Sequence, residues 1–143
     1  MELLVTPQEV RLQGMYDEDI LTDTLLNSQE FIVLSQSEAH SFIKKRGLDY
    51  DSLTEEQKTM FKLAIIENTR AKCCSYMSVY ILNEAKKVDK ADIKYEKYAT
   101  VKNWKEQAQV HAIKYNDYLS NTLESGEEST SGIAPSLLVR WDW

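Results

Sequence analysis

Two long stretches with helical spacing of apolar residues constrain this chain more than any other feature. In residues 54–86 apolar side chains recur every three or four positions, and only Asn68 and Ser75 interrupt that stripe. A heptad-like seam follows in residues 90–123, and its positions are Val101, Trp104, Ala108, His111, Tyr115 and Tyr118. Because the charged segment between the two stretches is short, we expect an antiparallel helical hairpin whose first helix is about 48 Å long.

Two shorter helices are predicted ahead of the hairpin. Thr6 and Glu9 have the spacing of a capping box, which predicts a short first helix. A second helix is predicted from a cap at Thr22 to the basic KKRG sequence that ends at Gly47. The 143 residues include only four glycines and two prolines, too few for a turn-rich β fold. The sequence therefore predicts an all-α bundle of about four helices.

The C-terminal end departs from this helical pattern. We divide the chain into a helical domain at 1–123, a polar linker predicted to be flexible at 124–136, and an interaction arm at 137–143. Apolar residues alternate in the arm as they do in a half-buried β-strand. The arm residues predicted to bind a partner are Leu137, Val139, Arg140, Trp141 and Trp143.

A lone strand needs another strand to satisfy its backbone groups. Within this chain the other strand-like piece is Glu2–Val5, which is short. The arm has four alternatives: pairing with that segment, pairing between copies, adding to an edge in a different protein, or packing irregularly on its own bundle through Trp141 and Trp143.

The net charge of −6 lies entirely in residues 1–30, which hold seven acidic residues against Arg11. The sequence has no basic stripe, which argues against sequence-specific binding of nucleic acid. It has no apolar run of membrane-spanning length, and its first residues do not resemble a signal peptide, so the cytosol is the default compartment. The adjacent Cys73 and Cys74 predict one core thiol and one partly exposed thiol in a reducing compartment.

The sequence offers little catalytic chemistry. It contains no phosphate-binding loop, no GxSxG motif, and no metal-ligand spacing around His40 or His111. We predict His40 to be a surface residue and His111 to be a hydrogen-bonded core histidine. The competing enzyme hypothesis uses His111 with Tyr115 or Glu106. The expectation is a protein that is not an enzyme, with no cofactor and no metal.

The first helices resemble a known family. The stretch LLVTPQEVRLQG, an acidic loop, ILTDTLLNSQEFIVLSQSEAHSFIKKR and FKLAIIENTRAKCCSYMSVYILN are similar in their order to the head–tail connector (adaptor, or head completion) proteins of tailed bacteriophages. The resemblance covers about residues 3–83, and the fourth helix and the arm depart from the shortest members.

The resemblance implies a structural virion protein made in the host cytoplasm. Such proteins form a homo-oligomeric ring, typically dodecameric, beneath the portal protein, extend the DNA channel, and present a surface to the next neck or tail protein. The arm would then dock on a neighbour or on the portal. Asp17, Glu18 and Asp19 would be candidate channel-facing acids that line the DNA path without holding DNA.

An alternative function is a small cytosolic helical regulatory module that binds one protein partner. It is motivated by the second helix, whose apolar face is diluted by the polar residues Gln29, Ser35, Gln36 and Ser37.

Overall fold

The structure is a computed structural model that describes residues 2–11, 19–86 and 91–124, without the side chains of residues 85, 86, 91–99 and 124. The described residues form five α-helices and one 3-10 turn. The elements are α1 (Pro7–Val10), α2 (Asp23–Leu26), α3 (Ile32–Lys44), the 3-10 turn (Tyr50–Ser52), α4 (Glu55–Lys86) and α5 (Ala91–Glu124). The all-α prediction is confirmed for these residues. The predicted C-terminal strand, and the linker beyond Glu124, lie outside them.

The predicted hairpin of two long helices is confirmed. Near one end the Gln57 side chain donates to the Thr122 carbonyl at 3.0 Å, and further along α4 Glu67 pairs with His111 at 2.6 Å. Residue numbers therefore rise along α4 as they fall along α5, which is the antiparallel arrangement. The seam faces inward, since Ala108, His111 and their seam neighbours are buried or partly buried.

The predicted second helix is wrong in one respect, because it is two helices. Thr22 caps α2 as expected, through a hydrogen bond from the Leu25 amide at 3.2 Å. The helix then ends at Leu26, and Phe31, at φ −116° and ψ −102°, precedes α3 with non-helical backbone. Asn27 and Ser28 favour turns over helix interiors, and the break allows Phe31 to enter the core at 4% exposure.

The helix ends are capped by side chains and by one glycine. Thr6 and Glu9 form the predicted capping box at α1, and Thr54 with Gln57 forms a further capping box at the start of α4. Gly47 ends α3 at φ +76°, a conformation that favours glycine. The Gly47 amide donates to Lys44 and the Leu48 amide to Ile43, a Schellman arrangement that satisfies the last carbonyls of the helix.

The core lies where α3, α4 and α5 meet and where the N-terminal segment covers them. Its largest fully buried side chains include Phe61, Leu21, Leu26, Ile32, Ile43, Ile65 and Leu119. Cys73 and Cys74 are both buried, so the predicted partly exposed thiol is wrong. His40 is also not a simple surface residue, because its ring packs edge-on to Phe61 with centroids 5.1 Å apart.

Candidate protein-interaction surface

Most of the residues predicted to contact partners lie outside the described part of the chain. This holds for Leu137, Val139, Arg140, Trp141 and Trp143, and for Asp17 and Glu18. Asp19 is described and lies exposed in the turn that precedes α2. The predicted channel-facing and arm surfaces therefore stay predictions, and the candidate surface is built from the helical body.

An apolar groove opens between the start of α3 and the middle of α4. It has a volume of about 320 Å³. Its lining residues are Glu30, Phe31, Leu34, Asn68, Ala71, Lys72, Ser75 and Tyr76. Phe31 and Tyr76 form one wall, with their rings edge to face and centroids 5.7 Å apart. Such a volume is at the low end of the roughly 300–1,000 Å³ of ligand pockets, so the groove suits one or two large side chains.

The groove continues into an exposed apolar strip. Leu34 is 43% exposed and Tyr76 is 36% exposed, and α4 then presents Val79 at 56% and Tyr80 at 38%. Residues 76, 79 and 80 are three or four positions apart and therefore share one face of the helix. Single exposed apolar residues are ordinary, whereas a contiguous patch with aromatic members is typical of an interaction surface.

Charged groups of both signs border the groove. Glu30 lies at its α3 end, and Lys72 lies on α4. The Lys72 ammonium contacts a carboxylate oxygen of Glu38 at 2.6 Å, and the Asn68 amide donates to the same oxygen at 3.1 Å. These contacts attach α3 to α4 beside the groove, so the groove lies between helices that are linked directly.

A buried polar network lies in the same turns of α4 as the groove. The two carboxylate oxygens of Glu67 contact His111 Nδ1 at 2.6 Å and Arg70 Nη1 at 2.9 Å, and the side chains of Glu67 and His111 are 7% and 3% exposed. Burial alone would raise the pKa of the Glu67 carboxyl, but the His111 hydrogen bond and the Arg70 charge outweigh burial and lower it.

Arg70 carries this network to α1. Its Nε donates to the Val10 carbonyl at 2.8 Å and its Nη2 to the Glu9 carbonyl at 3.1 Å. These carbonyls belong to the last turn of α1, where a cation is favourable. One guanidinium therefore satisfies the end of α1 and neutralises a buried carboxylate on α4.

The N-terminal segment is held by a side chain that acts like a neighbouring strand. The Leu4 amide donates to the Gln36 side-chain oxygen at 2.8 Å, and the Gln36 side-chain nitrogen donates to the Glu2 carbonyl at 2.8 Å. Gln36 is 1% exposed. The polar residue that diluted the face of the second helix thus points into the protein and fixes the strand-like Glu2–Val5 segment.

The prediction that His111 is a hydrogen-bonded core histidine is confirmed. Its buried partner Glu67 comes from α4, while Glu106, named in the competing enzyme hypothesis, is exposed on α5. Burial and, to a smaller extent, the Glu38 charge raise the pKa of Tyr115, which keeps that phenol protonated. Among the described residues no group of three His, Cys, Asp or Glu side chains is arranged to hold a metal ion.

Sequence reasoning missed Glu67, Arg70 and Gln36 as structural residues. Their long-range partners lie 32 to 61 positions away, so spacing along the chain gives no signal for those contacts. A weak signal existed for Glu67, since a carboxylate and the i+3 Arg70 share a helix face.

No family model, curated protein or solved structure matches this chain. Within the described helices, none combines the length and hydropathy that crossing a membrane requires.

Proposed function

We propose that this chain is a structural assembly protein, specifically a head–tail connector subunit of a tailed bacteriophage. The observation that carries the assembly role is the exposed apolar groove between α3 and α4, with the strip formed by Val79 and Tyr80 beyond it. The resemblance of residues 3–83 to connector proteins supplies the specific setting.

A connector must present fixed surfaces to several neighbours at once, and the described body supports that requirement. The long α4–α5 hairpin is a stiff element, and the Glu67–His111 pair crosslinks its two helices at 2.6 Å inside the core. The groove and strip would then provide the apolar centre of a subunit contact. The arm, with Trp141 and Trp143 as anchors, would dock on a neighbouring subunit or on the portal.

The resemblance alone supplies two further parts of the proposal, a homo-oligomeric ring that is typically dodecameric and the facing of Asp17, Glu18 and Asp19 toward the DNA channel. Negative charge at that surface would repel the phosphate backbone and let DNA pass. The protein would be found in the virion neck.

Electron microscopy of the purified chain mixed with the portal protein of the same phage tests this proposal. The expected result is a ring of subunits seated on the portal, and deletion of residues 136–143 is expected to abolish it while leaving the helical circular dichroism largely intact. The proposal fails if no ring or complex forms with the intact chain across a range of salt concentrations.

The regulatory-module alternative has a weaker basis in the structure. Of the four polar residues that motivated it, Ser35 and Gln36 are 0% and 1% exposed and therefore unavailable to a partner, whereas Gln29 is exposed and Ser37 is partly buried. If the chain recovers a host enzyme or a transcription factor in a pull-down, and no capsid protein, this alternative replaces the connector.

A further inference from the structure

The groove between α3 and α4 leaves apolar side chains in contact with solvent. Leu34 and Tyr76 are the exposed large apolar residues of its lining, at 43% and 36%. We propose that, in the isolated subunit, the chain's own C-terminal arm (137–143) folds back and packs its apolar face into this groove. This inference does not depend on the phage setting.

The apolar residues of the arm are complementary to the aromatic lining of the groove. Leu137, Val139, Trp141 and Trp143 fall on one side of an extended segment, and the groove is walled by the aromatic rings of Phe31 and Tyr76. Indole rings fill such apolar sites with large area at low cost in side-chain entropy.

Charge at the groove border also matches the arm. The arm places Arg140 and Asp142 between its apolar residues. The groove places Glu30 and Lys72 at its border. Because Lys72 is already paired with Glu38, the charge match rests on Arg140 of the arm meeting Glu30 at the border of the groove.

The length of the chain beyond α5 fits this occupant. The Gln57–Thr122 hydrogen bond places the end of α5 beside the start of α4. The groove is centred near Lys72, about 22 Å further along α4 at the standard helical rise. A polar linker of the length of 124–136 has an r.m.s. end-to-end distance of about 20 Å. The two lengths agree, and the fully extended linker reaches about twice as far.

The match between the linker length and the distance to the groove favours the chain's own arm over the arm of a second copy as the occupant of the groove. A tethered segment whose linker matches the span has an effective concentration in the millimolar range. In a solution at about 10 µM protein, the chain's own arm therefore outcompetes another copy's arm by roughly a hundredfold. In the isolated subunit the groove is covered in cis, and an assembly partner has to displace or exchange the arm.

Disulfide trapping in the full-length protein tests the docking directly. The variant pairs Ser75→Cys in the groove with Val139→Cys in the arm, and both changes are small. Cys73 and Cys74 are buried and do not compete. The matched control pairs Val139→Cys with Ile113→Cys, at a position 52% exposed on α5 and about 16 Å from the end of that helix. The control site is no farther from the root of the linker than the groove is, so simple proximity favours the control.

We expect the groove pair to form an intramolecular disulfide at least about tenfold faster than the control pair. Adding Leu34→Asp should reduce the groove pair to the control rate, with the helical circular dichroism unchanged. Equal rates for the two pairs would overturn the proposal. Disulfide-linked dimers whose share rises with protein concentration would also overturn it, and would show that the groove takes the arm of a second copy.

A second measurement does not rely on introduced cysteines. With Trp104→Phe, the emission reports Trp141 and Trp143 alone. Acrylamide is expected to quench this emission several-fold less than that of a free peptide with the sequence of residues 136–143, and Leu34→Asp should remove the protection. If acrylamide quenches the emission of the Trp104→Phe protein as strongly as that of the free peptide, docking is refuted. The tests use no portal, so docking and the connector proposal fail separately.

Discussion

Replacing Arg70 by methionine is expected to destabilise the protein far more than an ordinary helix-surface substitution. The side chain is 15% exposed and makes three hydrogen bonds, to the Glu9 and Val10 carbonyls and to the Glu67 carboxylate. Methionine preserves the apolar stem but removes every donor. Glu67 then stays buried with His111 as its remaining partner from this network.

The magnitude follows from that arrangement. Hydrogen bonds to charged groups contribute about 1.5–3 kcal/mol each, but the Glu9 carbonyl is near solvent and can be rehydrated. Removing one partner of a buried ion pair costs about 3–5 kcal/mol, and we expect the Arg70→Met loss to fall in that range. For a chain of this size the melting temperature should drop by about 10–20 °C.

The same helix offers a matched control. Lys58 and Glu55 have the same i, i+3 spacing in α4, but their N–O distance is 3.7 Å and the Glu55 side chain is 95% exposed. Lys58 also lies over the Tyr50 ring, 5.2 Å from its centroid. Lys58→Met should therefore cost about 1 kcal/mol or less.

Urea unfolding followed by far-UV circular dichroism measures both variants by linear extrapolation. Arg70→Lys supplies an intermediate case, because an ammonium cannot span three acceptors in the fork geometry of a guanidinium. If Arg70→Met loses no more free energy of unfolding than Lys58→Met, the network does not stabilise the fold and the reasoning is refuted.

Three further outcomes follow from the buried polar groups. The pKa of Glu67 is lowered from its ordinary value of 4.5, so its contribution to stability is present above pH 4.5 and is lost as pH falls through the lower folded pKa. In Glu67→Gln the urea midpoint should therefore depend less on pH over that acidic range. A pH dependence equal to that of the parent protein would contradict this. Gln36→Met removes two hydrogen bonds to the N-terminal segment and should cost about 1–3 kcal/mol, with the Leu4 amide exchanging hydrogen faster; unchanged exchange would show that the segment is held by other contacts. Burial raises the pKa of the Cys73 thiol to about 12, so Ellman's reagent at pH 8 should label Cys73 and Cys74 only after unfolding, and rapid labelling of the native protein would contradict their burial.

The long helices were predictable because their signals are local and repeated. The boundaries predicted for α4 and α5 fall within one residue of the observed ones at Glu55–Lys86 and Ala91–Glu124. Capping residues were equally predictable, since Thr6 and Thr22 accept hydrogen bonds from amides only three positions away. Each of these features depends on a short stretch of sequence and on no distant contact.

The split of the second helix and the role of Gln36 were not predictable in the same way. Residues 27–30 are polar, and Asn27 and Ser28 favour a turn. The seven-residue spacing from Leu25 to Ile32 nevertheless fits one continuous helix, and the sequence does not show that the break brings Phe31 against Tyr76 from α4. From its polarity alone Gln36 is expected to be exposed, and its burial depends on the N-terminal segment that packs beside it. In both cases a tertiary contact that the sequence does not show contributes to the outcome. The groove was also not predictable from the sequence, because its exposure depends on how α3 packs against α4.

The position of the polar contacts on α4 explains why the groove can serve as a preformed site. Within residues 67–72, α4 is joined to α5 through Glu67, to α1 through Arg70, and to α3 through Lys72. The lining of the groove begins in the same turns, at Asn68. Helices linked so closely keep their spacing when apolar side chains between them face solvent, so the groove cannot collapse to hide Leu34 and Tyr76. A site that is already shaped requires little ordering when it is filled, and this makes its filling by a short tethered arm favourable even though the arm itself must lose conformational freedom.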